Sequence, residues 1–381
     1  MVKRMRKGFV IGFVLALLLA ACGGGAPQPQ MEESDFNTSI SNFTSTASAV
    51  ASEATQDLSL AALQELYSRS SFGQSLTVAV SELASLSRRN VVSVSEVEGL
   101  LQSIIPSFSE LPREKWVWDS VNSGWQKASS YSGNHLIFEW TFENNGSHTA
   151  VLDIDWAHGQ PTKKATTQNG TEVEVPQDVY ITLKIDGRGN DYFEGRFKWY
   201  SGECGTIMEP TSVVLKSHIG SSVSLDLYFD YQVASNSITS KGSVTLKSDN
   251  DSAGIKWDVA ANGKITRGED CFMKEFEVAD GHVKVEAFST TSDGRQSVEF
   301  YTNFAINYSD DGQLDSVNLS NGYLTLNGEV AFTFDGVLDD ENGNGIPGEN
   351  VTVRFADGSK TLEQVLSDSG FSGISSYLPS Y

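Results

Sequence analysis

Val223-Ser224-Leu225-Asp226-Leu227-Tyr228-Phe229-Asp230-Tyr231-Gln232-Val233 decides the fold. Val223, Leu225, Leu227, Phe229, Tyr231 and Val233 fall on one side of an extended chain. Ser224, Asp226, Asp230 and Gln232 fall on the other. Strand side chains alternate between faces, so the stretch reads as a strand with one oily and one wet face. Leu136, Phe138, Trp140 and Phe142 repeat the pattern, as do Val179, Ile181, Leu183 and Ile185, and then Val298, Phe300, Phe304 and Ile306. Between such runs stand Asn145-Gly146, Asp186-Gly187, Asn262-Gly263, Asp280-Gly281, Asp293-Gly294, Asp311-Gly312, Asn321-Gly322 and Asn327-Gly328. These pairs accept the positive φ of two-residue hairpins and predict a turn at each.

About a dozen strands are predicted between Trp116 and Asp335. Strands of about 33 Å at a spacing of about 4.8 Å make an apolar face of about 1,900 Å². Soluble proteins do not leave so large a patch bare. Three short helices would shield about 600–750 Å² of it. The sheet is therefore expected to curl. The predicted fold class is mainly β with an N-terminal helical segment: a large curled antiparallel meander sheet, as an open barrel, half-barrel or sandwich. By element order, the open form resembles the half-barrels with helical lids of lipoprotein carriers and chaperones in the outer-membrane localisation pathway.

The chain of 381 residues is long enough for one large β domain or two smaller ones. Lys3, Arg4, Arg6 and Lys7 are the only charges in residues 1–21, so the remainder carries 23 basic against 49 acidic residues, near −26. Such a balance argues against nucleic acid or anionic headgroups as the main partner.

The basic residues 1–7 precede a 13-residue apolar run, Phe9 to Ala21, too short for a confident membrane span. Small residues and a cysteine follow, the order of a secretion signal. Leu19-Ala20-Ala21-Cys22 resembles the lipobox of bacterial lipoproteins. The resemblance implies a signal peptide at 1–21, cleavage before Cys22 and a lipid on its amino terminus. Gly23 stands where an aspartate favours inner-membrane retention in Gram-negative members of the class. The implied place is the bacterial outer membrane or cell surface, with the membrane as partner through the lipid. Residues 22–52 are rich in Gly, Pro, Gln, Ser and Thr and read as a flexible tether. Residues 53–108 carry apolar positions at helical spacing, including Leu58, Ala62, Leu66, Leu76, Val80, Leu83, Val97, Leu101 and Ile104. They predict two or three amphipathic helices. The β domain is placed at 111–336 and a C-terminal extension at 337–381. Within that extension a strand is expected over Val351 to Phe355 and a short helix over Thr361 to Leu366.

With Cys22 lipidated, Cys204 and Cys271 remain, an exported even pair that predicts a disulfide. No GxSxG elbow, HExxH helix or P-loop occurs, and no catalytic residue is assigned. Asp153 and Asp155 share a strand face and His158 follows in a turn, a spacing that fits either a metal or acid–base site, or plain solvent-facing acids. Trp116, Trp118 and Trp125 are either core packing or a sugar-stacking platform. No cofactor is expected apart from a structural calcium ion. Asp340, Asn342, Asn344 and Gly345 match the opening of a calcium loop, but Val351 stands at the twelfth position in place of a glutamate. The same stretch reads as a polar turn before the strand at Val351, and that reading is the favoured one. The leading functional expectation is a non-enzymatic envelope protein that binds or carries a hydrophobic small molecule or lipid. A structural or adhesin-like interaction module with a closed core is the second, and a hydrolase the third.

Overall fold

The computed structural model describes residues 29–32, 57–69, 113–166, 172–199, 210–220, 224–248, 251–268, 273–291, 294–308, 314–339 and 348–368. Helix α1 spans Leu58–Arg69. The strands follow as β1 (Lys115–Asp119), β2 (Gly124–Lys127), β3 (Leu136–Glu143), β4 (Ser147–Asp155), β5 (Lys163–Thr166) and β6 (Glu172–Val175). Next come β7 (Asp178–Ile185), β8 (Arg188–Trp199), β9 (Pro210–Ile219), β10 (Ser224–Val233), β11 (Ser237–Lys247) and β12 (Ser252–Arg267). The chain continues through β13 (Met273–Thr291), β14 (Gly294–Tyr308), β15 (Leu314–Leu326), β16 (Glu329–Leu338), β17 (Val351–Arg354) and β18 (Ser359–Thr361) to helix α2 (Leu362–Asp368).

All strands but β5 and β6 join one 16-stranded sheet in the order β18-β17-β16-β15-β14-β13-β12-β11-β10-β9-β8-β7-β4-β3-β1-β2. Among the described residues the order does not close, with β2 and β18 at its ends, so the sheet is open. Pairing is antiparallel throughout except that β1 runs parallel to β3. The meander therefore stands as expected, with one parallel step near its first edge. The β1–β2, β3–β4, β7–β8, β9–β10, β11–β12, β13–β14, β15–β16 and β17–β18 connections share one end of the sheet, the turn end. The intervening connections share the other, the loop end. The hairpin β5–β6 lies in the β4–β7 connection and packs through Ala165, Val173 and Val175 with Trp199.

The registers place the apolar positions of every long strand on one face. Phe138 pairs Leu152, Leu152 pairs Leu183, Phe197 pairs Val213, Val213 pairs Tyr231, Val259 pairs Val283 and Phe300 pairs Leu324. Three buried clusters form on it. One joins α1 to β3, β4 and β7, one lies over β9–β11, and one joins β12–β17 to α2. Leu66 of α1 and Trp140 of β3 are each 1% exposed, and Phe300 and Leu324 are 0% exposed. α1 starts where Asp57 Oδ1 accepts a hydrogen bond from the Ser59 N–H at 2.8 Å, satisfying an orphan donor of the first turn. α2 starts on a reciprocal cap: Thr361 N–H donates to Gln364 Oε1 and Gln364 N–H to Thr361 Oγ1. Residues 70–112, where further helices were expected, lie outside the described residues.

The turns at Asn145-Gly146, Asp186-Gly187 and Asn327-Gly328 form as predicted, each with positive φ at both positions. Asn262-Gly263, Asp280-Gly281 and Asn321-Gly322 do not turn the chain. They sit inside β12, β13 and β15, and the register slips between Asn262 and Gly263 and between Leu319 and Gly322. Here glycine serves close approach. A Cβ on Gly281 would meet the Phe304 ring at 2.6 Å, and one on Gly322 the Phe334 ring at 2.6 Å. Each bulge bends and twists the sheet locally. Beyond the pairing of Ser237 with Asn262 the β12–β13 ribbon runs on for about 16 Å to Arg267. Its Phe276 and Met273 nevertheless pack against the cluster on β9–β11, so the ribbon folds back over that face.

One short piece of the expected tether is part of the fold. β17 pairs β16 only from Thr333 to Gly336, and among the described residues no strand lies beside the start of β16 on that side. Gln30 N–H donates to the Val330 carbonyl at 2.8 Å, and Ala356 N–H donates to the Met31 carbonyl at 3.3 Å. Met31 packs against the β12–β17 cluster.

Gly281→Val is expected to cost about 3 kcal/mol or more, because a Cβ there meets the Ala260 backbone carbonyl as well as the Phe304 ring, and the strand itself must shift. Gly358→Ala has nothing within 4 Å of the new Cβ and should change stability by less than about 0.5 kcal/mol. Urea unfolding midpoints of the two variants check the contrast.

Candidate functional site

The apolar face is not closed along its whole length. Leu227 pairs Val244, Val244 pairs Ile255 and Ile255 pairs Ala287, one row across β10–β13 near the turn end. Leu227, Val244 and Ala287 are half-buried, and Ile255 is 50% exposed. Leu225 and Leu246, one row nearer the turns, are half-buried too, as are Trp257 and Val285 one row deeper. α1 covers the β3–β7 side and α2 the β17 side. This strip lies between them.

Two polar side chains stand at its turn end. Ser289 pairs Gln296 across β13–β14 and Ala253 across β12–β13, on the apolar face. Ser289 is 1% exposed. Its Oγ and the Oε1 of Gln296 are shielded from water and have no hydrogen-bond partner. Leaving such groups unpaired costs about 1–3 kcal/mol each. An apolar strip ending in unpaired polar atoms is the lining that a site for an amphiphilic small molecule requires.

The opposite face is a lattice of charges and rings. Lys247 and His218 hold Asp226 at 2.5 and 2.6 Å. Lys241 and His282 hold Asp258 at 2.8 and 3.4 Å, and Lys284 holds Glu299 at 3.0 Å. Partial burial pushes the Asp226 and Glu286 carboxyls up, but Lys247 and His218 on the first, and Arg295 and Lys256 on the second, outweigh it and hold both below their usual range. His158, Tyr180, Tyr192 and His218 form a row with ring centroids 4.5, 5.9 and 6.4 Å apart. His282, Tyr301 and Tyr323 form a second, at 5.8 and 6.2 Å. Rings stacked on one another turn their faces to their neighbours, leaving little flat surface for a sugar.

Asp153 and Asp155 lie on this wet face, as their alternation predicted, and the structure adds His135 to them. His135 Nδ1 is 2.8 Å from Asp153 Oδ1, and His158 Nδ1 is 3.3 Å from Asp155 Oδ2. His135 precedes β3, 18 residues from Asp153, so only strand pairing reveals the contact. No group of three or more His, Cys, Asp or Glu among the described residues is arranged to hold a metal ion. Trp118 and Trp125 stack edge-on at 5.4 Å, Trp125 meets Phe138 at 5.2 Å, and all three tryptophans pack against the α1 cluster. They are half-buried and pack as the margin of that core. Cys22, Cys204, Cys271, Asp340, Asn342 and Asn344 lie outside the described residues. The described neighbour of the Asp340 loop, Asp339, has one carboxylate oxygen bonded by Asn350 at 2.7 Å and the other shielded without a hydrogen-bond partner.

Comparison with protein-family models, curated proteins and solved structures finds no match to this chain. Among the described residues, no helix is long and apolar enough to cross a membrane, which says nothing of strands.

At the turn end, His148 Nδ1 lies 2.8 Å from Asp186 Oδ2, and Asp186 Oδ1 accepts from the Thr149 N–H at 2.8 Å. The hydrogen bond to Asp186 raises the His148 value, and that to His148 lowers the Asp186 value. A raised histidine stabilises fully below its unfolded value of about 6.5 and loses this as pH rises through its folded value. A lowered aspartate stabilises above about 3.9 and loses this as pH falls through its folded value. Together they hold the β3–β4 and β7–β8 turns best between about pH 4 and 6.5. The His148 titration midpoint followed by NMR is expected above about 6.5 and should fall in Asp186→Asn.

Proposed function

We propose that this chain is a lipid-anchored protein of the bacterial outer membrane or cell surface, without catalytic activity, whose open sheet binds or carries a hydrophobic molecule. The observation that carries the reading is the half-exposed strip around Ile255, ending in the unpaired Ser289 and Gln296. The lining favours an amphiphile. Its tail lies along Leu227, Val244, Ile255 and Ala287, and its polar head lies toward the turn end, reaching the Ser289 hydroxyl and the Gln296 amide oxygen by displacing the groups that shield them. The same strip weighs against the alternative of a structural or adhesin-like module with a closed core. The lipobox Leu19-Ala20-Ala21-Cys22 supports the anchor.

Native mass spectrometry of protein from its own host should find a co-purified lipid or similar amphiphile. Ile255→Asp should weaken binding of a fluorescent fatty acid about tenfold, since burying one aliphatic side chain is worth about 1.5 kcal/mol. Its folding stability should fall by about 1–2 kcal/mol, the loss of a half-buried strand isoleucine, which leaves the domain folded for the binding measurement. Ser289→Ala should lower affinity about two- to tenfold while leaving stability equal or higher, because it removes a hydroxyl that the empty fold leaves unpaired. Unchanged affinity in both variants, together with lipid-free native protein, would sink the carrier reading.

The disulfide Cys204–Cys271 belongs to the same proposal. The β8–β9 and β12–β13 connections both leave the loop end, and Trp199 and Met273 beside them pack against one cluster. It would close a loop of about 66 residues and add about 4 kcal/mol in the chain-entropy model. Cys204→Ser is expected to lose about that much in guanidinium unfolding, and reduced wild-type protein to match it.

A further inference from the structure

We propose that the segment Gln30–Met31 is a short leash that turns one end of the domain toward the bilayer, so that the half-exposed strip opens onto the leaflet holding the chain's own lipid. The inference rests on the reading of Cys22 as the acylated residue and adds an orientation to it.

The tie is made of three contacts. Gln30 N–H donates to the Val330 carbonyl at 2.8 Å, the Met31 carbonyl accepts from Ala356 N–H at 3.3 Å, and the Met31 side chain packs into the β12–β17 cluster. Val330 follows the Asn327-Gly328 turn, and Ala356 sits in the β17–β18 turn. Both belong to the turn end.

Cys22 precedes Gln30 by eight residues. Fully extended, they reach about 28 Å, and as a coil about 15 Å. Without the tie, the next described residue is Asp57, 35 residues on, at a coil span of about 33 Å and an extended reach beyond about 110 Å. Met31 thus converts a long tether into a short one and decides which end it leaves from.

The strip lies at that same end. Leu225 and Leu227 open β10, Leu246 closes β11, and Ile255 lies near the start of β12. Val121, 89% exposed, tips the β1–β2 turn there. Charge does not draw this end to lipid: Asp119, Glu143, Asp186, Asp251, Glu329 and Asp357 line the turns, against Arg188, Lys247, Arg295 and Arg354. Acidic turns are repelled by anionic headgroups, so the approach depends on the leash and on apolar contact.

The test uses the full acylated chain in phosphatidylcholine vesicles carrying a rhodamine lipid. A donor dye is placed at Ser120→Cys or Asp357→Cys at the turn end, or at Ser235→Cys at the loop end. Energy transfer should be at least twofold greater from both turn-end positions than from 235. Gln30→Pro with Met31→Asp should abolish that difference while the protein stays vesicle-bound. Equal transfer from all three positions, or a difference that survives the double substitution, overturns the leash. The tie is also read without lipid: in Cys22→Ser protein, the Gln30 amide should exchange at least tenfold more slowly than in the same protein carrying Met31→Asp. Equal exchange overturns it. A full-length protein whose mass shows no acyl groups and which does not bind vesicles overturns the membrane orientation through the anchor, whatever the amide shows.

Discussion

The shelter of one oily face is the constraint on which the rest of the structure depends. Sixteen strands in an unclosed order set a continuous row of aliphatic and aromatic side chains on one side. Water exacts about 25 cal/mol for each Å² of that surface left exposed. A closed barrel would hide the face by geometry alone. An open sheet, which among the described residues ends at β2 and β18, must cover it piece by piece.

Different pieces of chain do this by different means. α1 lays Ala62 and Leu66 on β3, β4 and β7, and α2 lays Leu362 and Val365 on β16 and β17. In between, the sheet uses its own length. The bulge after Asn262 lets the β12–β13 ribbon return Phe276 and Met273 over β9–β11. Glycines at 242, 281 and 322 let the rings of Trp257, Phe304 and Phe334 lie against backbone where a side chain would collide. What this leaves uncovered is the strip at Ile255, and the unpaired Ser289 and Gln296 are its polar boundary. A site for a greasy molecule arises here as the remainder of a covering problem.

The wet face obeys another logic. Lysines stand opposite acids on neighbouring strands, and histidines and tyrosines stack between them. Cross-strand pairs of this kind are worth about 0.2–1 kcal/mol each and disfavour other registers. In so acidic a chain, the cations are placed where they quiet Asp226, Asp258, Glu286 and Glu299. The face holds register and solubility, and its histidines at 135, 158, 218 and 282 each sit against an aspartate on this surface.

Alternation alone was enough to read the fold class, because period two in Leu225 to Val233 or Leu136 to Phe142 permits only a strand with one buried face. It also placed Asp153 and Asp155 on the wet side and the turns at Asn145, Asp186 and Asn327. It misread Asn262-Gly263, Asp280-Gly281 and Asn321-Gly322, since glycine admits both a reversed turn and a close ring contact and only the neighbouring strand says which. The strip at Ile255 was out of reach for the same reason: its residues look like any other buried strand, and their exposure depends on where α1, α2 and the folded ribbon stop. The docking of Gln30–Met31 carries no apolar period at all, because two backbone hydrogen bonds and one methionine leave no mark in composition. Local chemistry was written in the order of residues, while coverage, opening and orientation were decided by which distant segments came to lie against one another.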